Sequence, residues 1–210
     1  MKTKNRIWNL NWVVAATGLF LAAQLHAQTV RYVGTLPGNG SLVKIDGTSS
    51  IHDWTVEGKM IGGSMEIDPA FDADFKTLKS TPKVLVKIPV RQLHDTAKQK
   101  GMDEVMYQAM SATNYPNLEY RLTELKSKDG GKFEATGSLS MAGVTKTNIM
   151  SFTFERMDNS NIKVSGATSM KMSDFNVRAP VLGVAGVSIK TGDEVKLSLD
   201  WVVKKAEAPK

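Results

Sequence analysis

The chain has 210 residues, of which 27 are lysine or arginine and 21 are aspartate or glutamate, so its formal net charge is +6 at neutral pH. It contains no cysteine, which excludes a disulfide framework, a lipid-modified cysteine and a thiolate zinc site. The basic residues are interspersed with acidic ones rather than clustered, which argues against a nucleic-acid partner.

The first 27 residues have the pattern of a secretory signal peptide. Lys2, Lys4 and Arg6 precede a mainly apolar run over residues 12–23, and the small residue Ala27 ends the segment. The run is shorter than the about 20 apolar residues that a spanning helix needs, although a retained N-terminal anchor is the alternative. Cleavage would remove three basic and no acidic residues, which lowers the net charge from +6 to +3. We therefore expect a periplasmic or secreted protein without stable membrane insertion.

After the signal peptide, the chain predicts a single domain. Residues 28–40 form a short N-terminal lead-in that ends in a turn, residues 41–204 carry the alternating pattern of strands, and residues 205–210 form a frayed tail. The part from residue 28 onward is long enough to bury a full core.

The segment 132–154 shows the pattern most clearly. Apolar and small residues alternate with polar ones up to Met141, Ala142-Gly143 provides a tight reversal, and the return strand again alternates. The sequence thus predicts a β-hairpin with one buried face. Similar alternation predicts further strands within residues 41–67, 83–89, 118–123, 162–172 and 195–203, and Gly62-Gly63 predicts a bulge or sharp bend.

One helix interrupts the strands. Its apolar residues recur at i, i+3, i+4, i+7 and i+8, namely Met102, Val105, Met106, Ala109 and Met110. The glycine-punctuated segment Val181 to Ile189 is interpreted as a loop, either a mobile lid over a pore or a plug that folds back into the core.

About eight strands joined mainly by turns predict an all-β fold. Eight antiparallel strands can close into a barrel, which leaves no exposed edge. We expect an elongated eight-stranded antiparallel β-barrel with one short helical insertion, and a β-sandwich is the alternative.

Several short motifs resemble the YceI-like family of exported, lipocalin-like barrels. Their order along the chain is Ile51-His52-Asp53-Trp54, Met102-Asp103-Glu104, Tyr115-Pro116-Asn117-Leu118-Glu119-Tyr120, Gly137-x-Leu139-x-Met141-x-Gly143-Val144-Thr145-Lys146, Ser173-Asp174-Phe175 and Gly192-Asp193-Glu194-Val195. The resemblance implies a barrel whose apolar pore holds an isoprenoid or other long-chain lipid. It implies sequestration or transport of that lipid as the function, with no cofactor.

Four positions depart from the pattern that this resemblance implies. Met102 and Met172 stand where the family often has arginine, Asn176 where it usually has glycine, and Thr147 where it has proline. The missing arginines leave the contact with a polar head group, and the identity of the lipid, open.

The candidate ligand-binding residues are apolar or aromatic side chains on the inferred inward faces. Methionine suits such walls because it is flexible and polarizable. The candidates are Met106, Met110, Tyr120, Leu122, Leu139, Met150, Phe152, Phe154, Met170, Met172, Leu199 and Trp201. The alternative is that the same side chains fill a solid core, in which case the protein would be a non-catalytic structural or stress-response interaction module.

Catalytic and metal-binding signals are weak. His52 and His94 are each followed by an aspartate, but a zinc site usually needs three or four ligands, and the interpretation we favour is that they are loop residues capping strands. There is no nucleophile elbow, phosphate-binding loop or dinucleotide fingerprint. We expect a protein that is not an enzyme and binds no metal or nucleic acid, with a homodimer as one option for its oligomeric state.

Overall fold

The computed structural model describes residues 29–34, 39–158, 160–184 and 187–207. The predicted signal peptide therefore lies outside the described residues. The strands are β1 (Val30–Gly34), β2 (Leu42–Ser49), β3 (Asp53–Gly58), β4 (Gly62–Ile67), β5 (Lys83–Pro89), β6 (His94–Asp95), β7 (Asn117–Ser127), β8 (Lys132–Met141), β9 (Val144–Arg156), β10 (Asn161–Lys171), β11 (Val181–Val184) and β12 (Val187–Lys205). The α-helices are α1 (Pro69–Asp74) and α2 (Met102–Ala109), and short 3-10 turns cover Val90–Gln92, Asp129–Gly131 and Met172–Phe175.

Eight strands form a closed antiparallel ring in the order β1, β4, β5, β7, β8, β9, β10 and β12. The ring is closed by the pairing of β1 with the last residues of β12, from Gly34 with Val203 to Tyr32 with Lys205. Strands β7 to β10 contain 10 to 13 residues, which is roughly 33–43 Å of extended chain. The prediction of an elongated eight-stranded antiparallel barrel is confirmed.

The remaining strands extend one end of this ring. β2 continues the edge of β12 that β1 occupies, since β1 pairs with residues 203–205 and β2 with residues 191–200. β3 pairs with β2, and β6 pairs only with β3 among the described strands. No described pairing joins β6 to β7, and α2 lies between them in the chain. We call this end of the barrel, which is formed by β2, β3, β6 and α2, the open end.

Alternation along the strands places the core inside the barrel, as the sequence predicted. On β8, Phe133, Ala135, Gly137, Leu139 and Met141 are buried, and the residues that alternate with them are partly exposed. The β8–β9 hairpin turns at Ala142 and Gly143, whose φ angles of 48° and 81° lie in the left-handed region, as a two-residue hairpin loop requires.

The predicted bend at Gly62-Gly63 lies at the start of β4, directly after the break between β3 and β4 at residues 59–61. Gly63 has φ 124°, and a Cβ atom there would overlap the carbonyl oxygen of Leu85, so only glycine fits. Beside the bend, the buried indole of Trp201 donates a hydrogen bond from Nε1 to the carbonyl oxygen of Ile61 at 3.2 Å. This bond ties β12 to the break between β3 and β4.

Four local predictions differ from the structure. The segment 28–40 contributes β1 to the barrel, so it is more than a lead-in. Lys205, assigned to the tail, pairs in β12 with Tyr32, and residues 208–210 lie outside the described residues. In the segment Val181 to Ile189, the described residues pair as β11 and the start of β12 rather than forming a loop, with Val181 paired to Lys190. The sequence predicted one α-helix, but the described residues form a second one, α1.

Helix α1 is short but has clear start signals. The side chain of Asp68 accepts a hydrogen bond from the backbone N–H of Ala70 at 2.8 Å, and Pro69 occupies the first turn. Phe75 ends the helix in the left-handed conformation with φ 50°. The helix carries Phe71, which is fully buried, into the end of the barrel opposite to α2. We call this end the closed end.

Candidate functional site

A cavity of about 450 Å³ occupies the open end of the barrel. Its walls come from β2, β3, α2, β8, β10, β12 and the turn after β10, and most of the lining side chains are apolar. Six of them are methionines: Met102, Met106, Met110, Met141, Met170 and Met172. This volume is within the roughly 300–1,000 Å³ typical of small-molecule sites. We call it the mouth cavity.

A second, narrow cavity of about 60 Å³ lies deeper in the barrel and is enclosed mainly by aliphatic and aromatic side chains. Leu118, Leu139 and Leu197 line both this central cavity and the mouth cavity, so the two adjoin. The central cavity is narrow because Tyr120, Phe152 and Trp201 all point into the barrel near this level.

An aromatic cluster fills the closed end. The ring of Phe71 from α1 packs edge-on against Phe133 at 5.5 Å and Phe154 at 5.3 Å between ring centroids. Phe75 stacks on Phe154 at 5.6 Å, and the guanidinium of Arg156 lies 4.9 Å from the centroid of Phe75. Edge-to-face pairs of this kind are favourable beyond the area that they bury. The barrel is therefore stoppered at one end and accessible at the other.

A buried carboxylate fixes the position of α1 at the closed end. Asp72 of α1 accepts hydrogen bonds from the Tyr32 hydroxyl at 2.7 Å and from Nη2 of Arg156 at 2.8 Å, and Nζ of Lys205 lies 3.3 Å away. Burial alone would raise the pKa of Asp72, but the bonds from Arg156, Tyr32 and Lys205 outweigh it and hold the pKa below its usual range. The network joins α1 to β1, β9 and β12.

The structure places all twelve candidate residues on the walls of these two cavities. Eight of them line the central cavity: Tyr120, Leu122, Leu139, Met150, Phe152, Phe154, Leu199 and Trp201. The other four line the mouth cavity: Met106, Met110, Met170 and Met172. Leu139 belongs to both linings. Their contact with a ligand stays a prediction.

Two buried polar atoms of the barrel wall lack a hydrogen-bond partner among the described residues. The Tyr120 hydroxyl and the amide oxygen Oδ1 of Asn148 make no hydrogen bond to any described residue. Burial raises the pKa of Tyr120 to about 12, so its hydroxyl is protonated at neutral pH. Sequence alternation identified Tyr120 as inward-facing, but it gave no sign that the hydroxyl lacks a partner.

The histidines serve local structure at the open end. Nδ1 of His94 lies 2.7 Å from Oδ2 of Asp103, and the backbone N–H of Asp95 donates to Oδ1 of the same carboxylate at 2.7 Å. Burial raises the pKa of Asp103, but these two contacts outweigh it and the net shift is downward. His52 contacts the backbone oxygen of Asp53 at 2.8 Å. His94 thus joins β6 to the first turn of α2 rather than pairing with its sequence neighbour.

Among the described residues, no group of three or more histidine or acidic side chains is arranged to hold a metal ion. Within the same ranges, no helix has the length and apolar character needed to cross a membrane.

The site residues that sequence reasoning missed belong to the closed end. Phe71, Asp72 and Phe75 come from α1, which was not predicted, and Tyr32 lies on the unpredicted β1. The only local signal was Asp68-Pro69, a common start of a helix. The pairing of Asp72 with Arg156, 84 positions away, has no sequence signal at all.

Comparison with known proteins gives a consistent assignment. The family model of the YceI-like domain matches residues 26–203. Burkholderia cenocepacia BcnA is similar in structure with a TM-score of 0.61 at 19% identity, and the match covers 77% of this chain and 95% of BcnA. No curated protein matches the sequence.

Two further solved structures share the fold. A polyisoprenoid-binding domain from Saccharophagus degradans, implicated in plant cell wall breakdown, matches with a TM-score of 0.60 at 11% identity, over 85% of this chain and all (100%) of that domain. The YceI protein of Campylobacter jejuni matches with a TM-score of 0.54 at 19% identity, over 72% of this chain and 85% of that protein.

Proposed function

The chain belongs to the YceI-like family, and from that premise we propose that it binds an isoprenoid-type or other long-chain lipid inside its barrel. The observation that carries the proposal is the mouth cavity, which is apolar, about 450 Å³ in volume and continuous with the wall of the central cavity. The similarity to a domain that binds polyisoprenoids supports the chemical class of the ligand.

The physical basis of binding is the transfer of hydrocarbon out of water. Each buried methylene contributes about 0.8 kcal/mol, so a chain can bind tightly with few polar contacts. Methionine side chains adjust to irregular apolar shapes, and six of them line the mouth cavity. Lipid enters at the open end, because the Phe71 cluster fills the closed end.

We propose further that the protein is exported and holds its lipid for sequestration or transport in the periplasm or outside the cell. The signal-like pattern of residues 1–27 supports export. The protein acts without catalysis, cofactor or metal in this proposal. The mass of the intact protein from its own cells tests export, since removal of the leader would leave a chain that begins near Gln28.

The binding proposal is tested by extraction. Protein purified from its own cell envelope should release a long-chain apolar molecule into organic solvent, identified by mass spectrometry, and native mass spectrometry should show the corresponding complex. Protein that carries no such molecule, and that binds none when mixed with lipid extract, would favour a solidly packed structural or interaction module instead.

A matched pair of variants tests the location. Ala109 of α2 lines the mouth cavity, and the neighbouring Gln108 is exposed. Ala109→Trp should weaken binding by about tenfold or more, since its ring takes the place of at least two ligand methylenes. Gln108→Trp should bind as the unmodified protein does. Equal binding by both variants would place the ligand outside the mouth cavity.

A further inference from the structure

The unpartnered Tyr120 hydroxyl and the Asn148 amide oxygen are neighbours in the barrel wall. Tyr120 lies on β7, and its ring and hydroxyl cover Gly137 of β8, where a Cβ atom would overlap them. Gly137 is paired directly with Asn148 of β9. The two polar side chains therefore lie on either side of Gly137, on the two strands that neighbour β8.

This position is where the two cavities adjoin. Tyr120 lines the central cavity and is paired with Leu139, which lines both cavities. Tyr120 is only 7% exposed, so water at the barrel surface does not solvate its hydroxyl. A buried polar group without a hydrogen bond is unfavourable, and few such groups occur in folded proteins. Tyr120 lines the central cavity, and Asn148 lies beside it across Gly137, which suggests that a ligand in the cavity supplies the missing partner.

The two groups have complementary requirements. The Tyr120 hydroxyl is protonated, because burial raises its pKa to about 12, and it can donate a hydrogen bond. Nδ2 of Asn148 donates to Oγ1 of Thr168 at 3.4 Å, which leaves Oδ1 as an acceptor. A ligand hydroxyl can accept from Tyr120 and donate to Asn148 at the same time, whereas a carbonyl can satisfy Tyr120 alone.

The surrounding charge argues for a neutral group. The described residues that line the central cavity include no lysine or arginine, so a phosphate or carboxylate there would be buried without a counter-charge. The space also limits how the ligand lies. The central cavity holds about 60 Å³ against about 450 Å³ in the mouth cavity, so most of the hydrocarbon lies on the mouth side of the polar pair.

We infer that the barrel selects an apolar chain bearing a neutral oxygen group, best a hydroxyl, which Tyr120 and Asn148 bind where the two cavities adjoin. The inference rests on the proposed lipid-binding function and specifies the chemistry of the ligand. It makes Tyr120 a specificity residue rather than part of the packing alone.

Hexadecan-1-ol and hexadecane differ by this oxygen and test the inference. Each is delivered to the full chain from a cyclodextrin complex, and its affinity is measured by displacement of the neutral fluorescent probe N-phenyl-1-naphthylamine. The unmodified protein should bind the alcohol roughly two- to tenfold more tightly than the alkane, as expected for one or two net hydrogen bonds.

Three variants make the result specific. Tyr120→Phe should lose the preference for the alcohol while keeping its affinity for the alkane, and Asn148→Ala should lose part of the preference. Tyr115→Phe removes a hydroxyl that lies in neither cavity lining and should keep the preference. Because the Tyr120 hydroxyl has no partner among the residues that the structure describes, Tyr120→Phe should melt at or above the temperature of the unmodified protein.

The outcomes separate the two proposals. Equal binding of alcohol and alkane, or an unchanged preference in Tyr120→Phe, would overturn the inference and leave lipid binding intact. A marked loss of thermal stability in Tyr120→Phe would also overturn it, because the hydroxyl would then serve the fold. Failure of both compounds and the probe to bind would refute the proposed function, and the inference with it.

Discussion

Replacement of Asp72 by alanine should selectively weaken the closed end of the barrel. Asp72 is buried, and it accepts hydrogen bonds from Tyr32 and Arg156 while Lys205 lies within ion-pair distance. In the variant, the fully buried hydroxyl of Tyr32 loses its acceptor. Arg156 and Lys205 can turn toward water instead, because their side chains are 32% and 46% exposed.

The expected loss of folding free energy follows from this difference. Stranding one buried hydroxyl costs about 1–3 kcal/mol, and removing one partner of a fully buried ion pair costs about 3–5 kcal/mol. Since the two cations of this network are partly solvated, we expect the lower end of that range, about 3 kcal/mol. Tyr32→Phe should cost less, about 1–2 kcal/mol, because it leaves the carboxylate with both cations.

The same network predicts a pH dependence. The pKa of Asp72 in the folded protein is below its ordinary value of 3.8. A group with a depressed pKa stabilises the fold above its unfolded pKa, and this stabilisation is lost as the pH falls through the folded pKa. The difference in stability between the unmodified protein and Asp72→Ala should therefore be constant near neutral pH and shrink below about pH 4.

Urea denaturation followed by tryptophan fluorescence measures these quantities, since Trp201 is buried in the core. Asp53→Ala is the control, because that side chain is exposed and makes no side-chain hydrogen bond to a described residue. The double variant Tyr32→Phe/Asp72→Ala should lose less than the sum of the single losses. An unchanged urea midpoint in Asp72→Ala at neutral pH, or a difference that persists undiminished in acid, would refute the reasoning.

Two further predictions concern the barrel wall. Phe152→Arg, which places an unpaired charge in the interior, should unfold the domain, whereas Ser151→Arg on the exposed face should melt normally; similar melting curves would mean that the inward and outward faces are reversed. Gly166→Ala should lower the free energy of unfolding by about 1–3 kcal/mol through overpacking, because a Cβ atom there would overlap the ring of Phe152. In the control Gly62→Ala, the new Cβ atom meets nothing closer than 3.7 Å, so this variant should be tolerated. Thermal denaturation of each pair checks both predictions, and equal stability of the two glycine variants would contradict the second.

The sequence predicted the wall of the barrel well, because each inward face repeats every second residue over long strands. On β8 the alternation from Phe133 to Met141 matches the burial observed. The spacing of apolar residues also predicted helix α2 correctly. Even Asn176, which stands where the family resemblance implied glycine, has φ 56°, a conformation that asparagine tolerates better than most residues.

The closed end could not be predicted in the same way. Helix α1 has six residues, fewer than two full turns, which is too short for a helical period to become visible. β1 has five residues, and its pairing with β12 is set by closure of the ring rather than by local pattern. Asp72 has no sequence neighbour among its partners, so its role depends on three distant strands.

The sequence pattern could not predict the empty volume inside the barrel either. An apolar face that packs against a solid core and one that lines a cavity have the same periodicity. The difference arises from which side chains share a level of the barrel. Where Tyr120, Phe152 and Trp201 project together, the cavity narrows to about 60 Å³. Where no pairing joins β6 to β7 among the described strands and six methionines line the wall, it widens to about 450 Å³. This asymmetry gives the proposed lipid site a direction: under the binding proposal a chain would enter at the open end, and its inner end would meet Tyr120 before it could reach the Phe71 cluster.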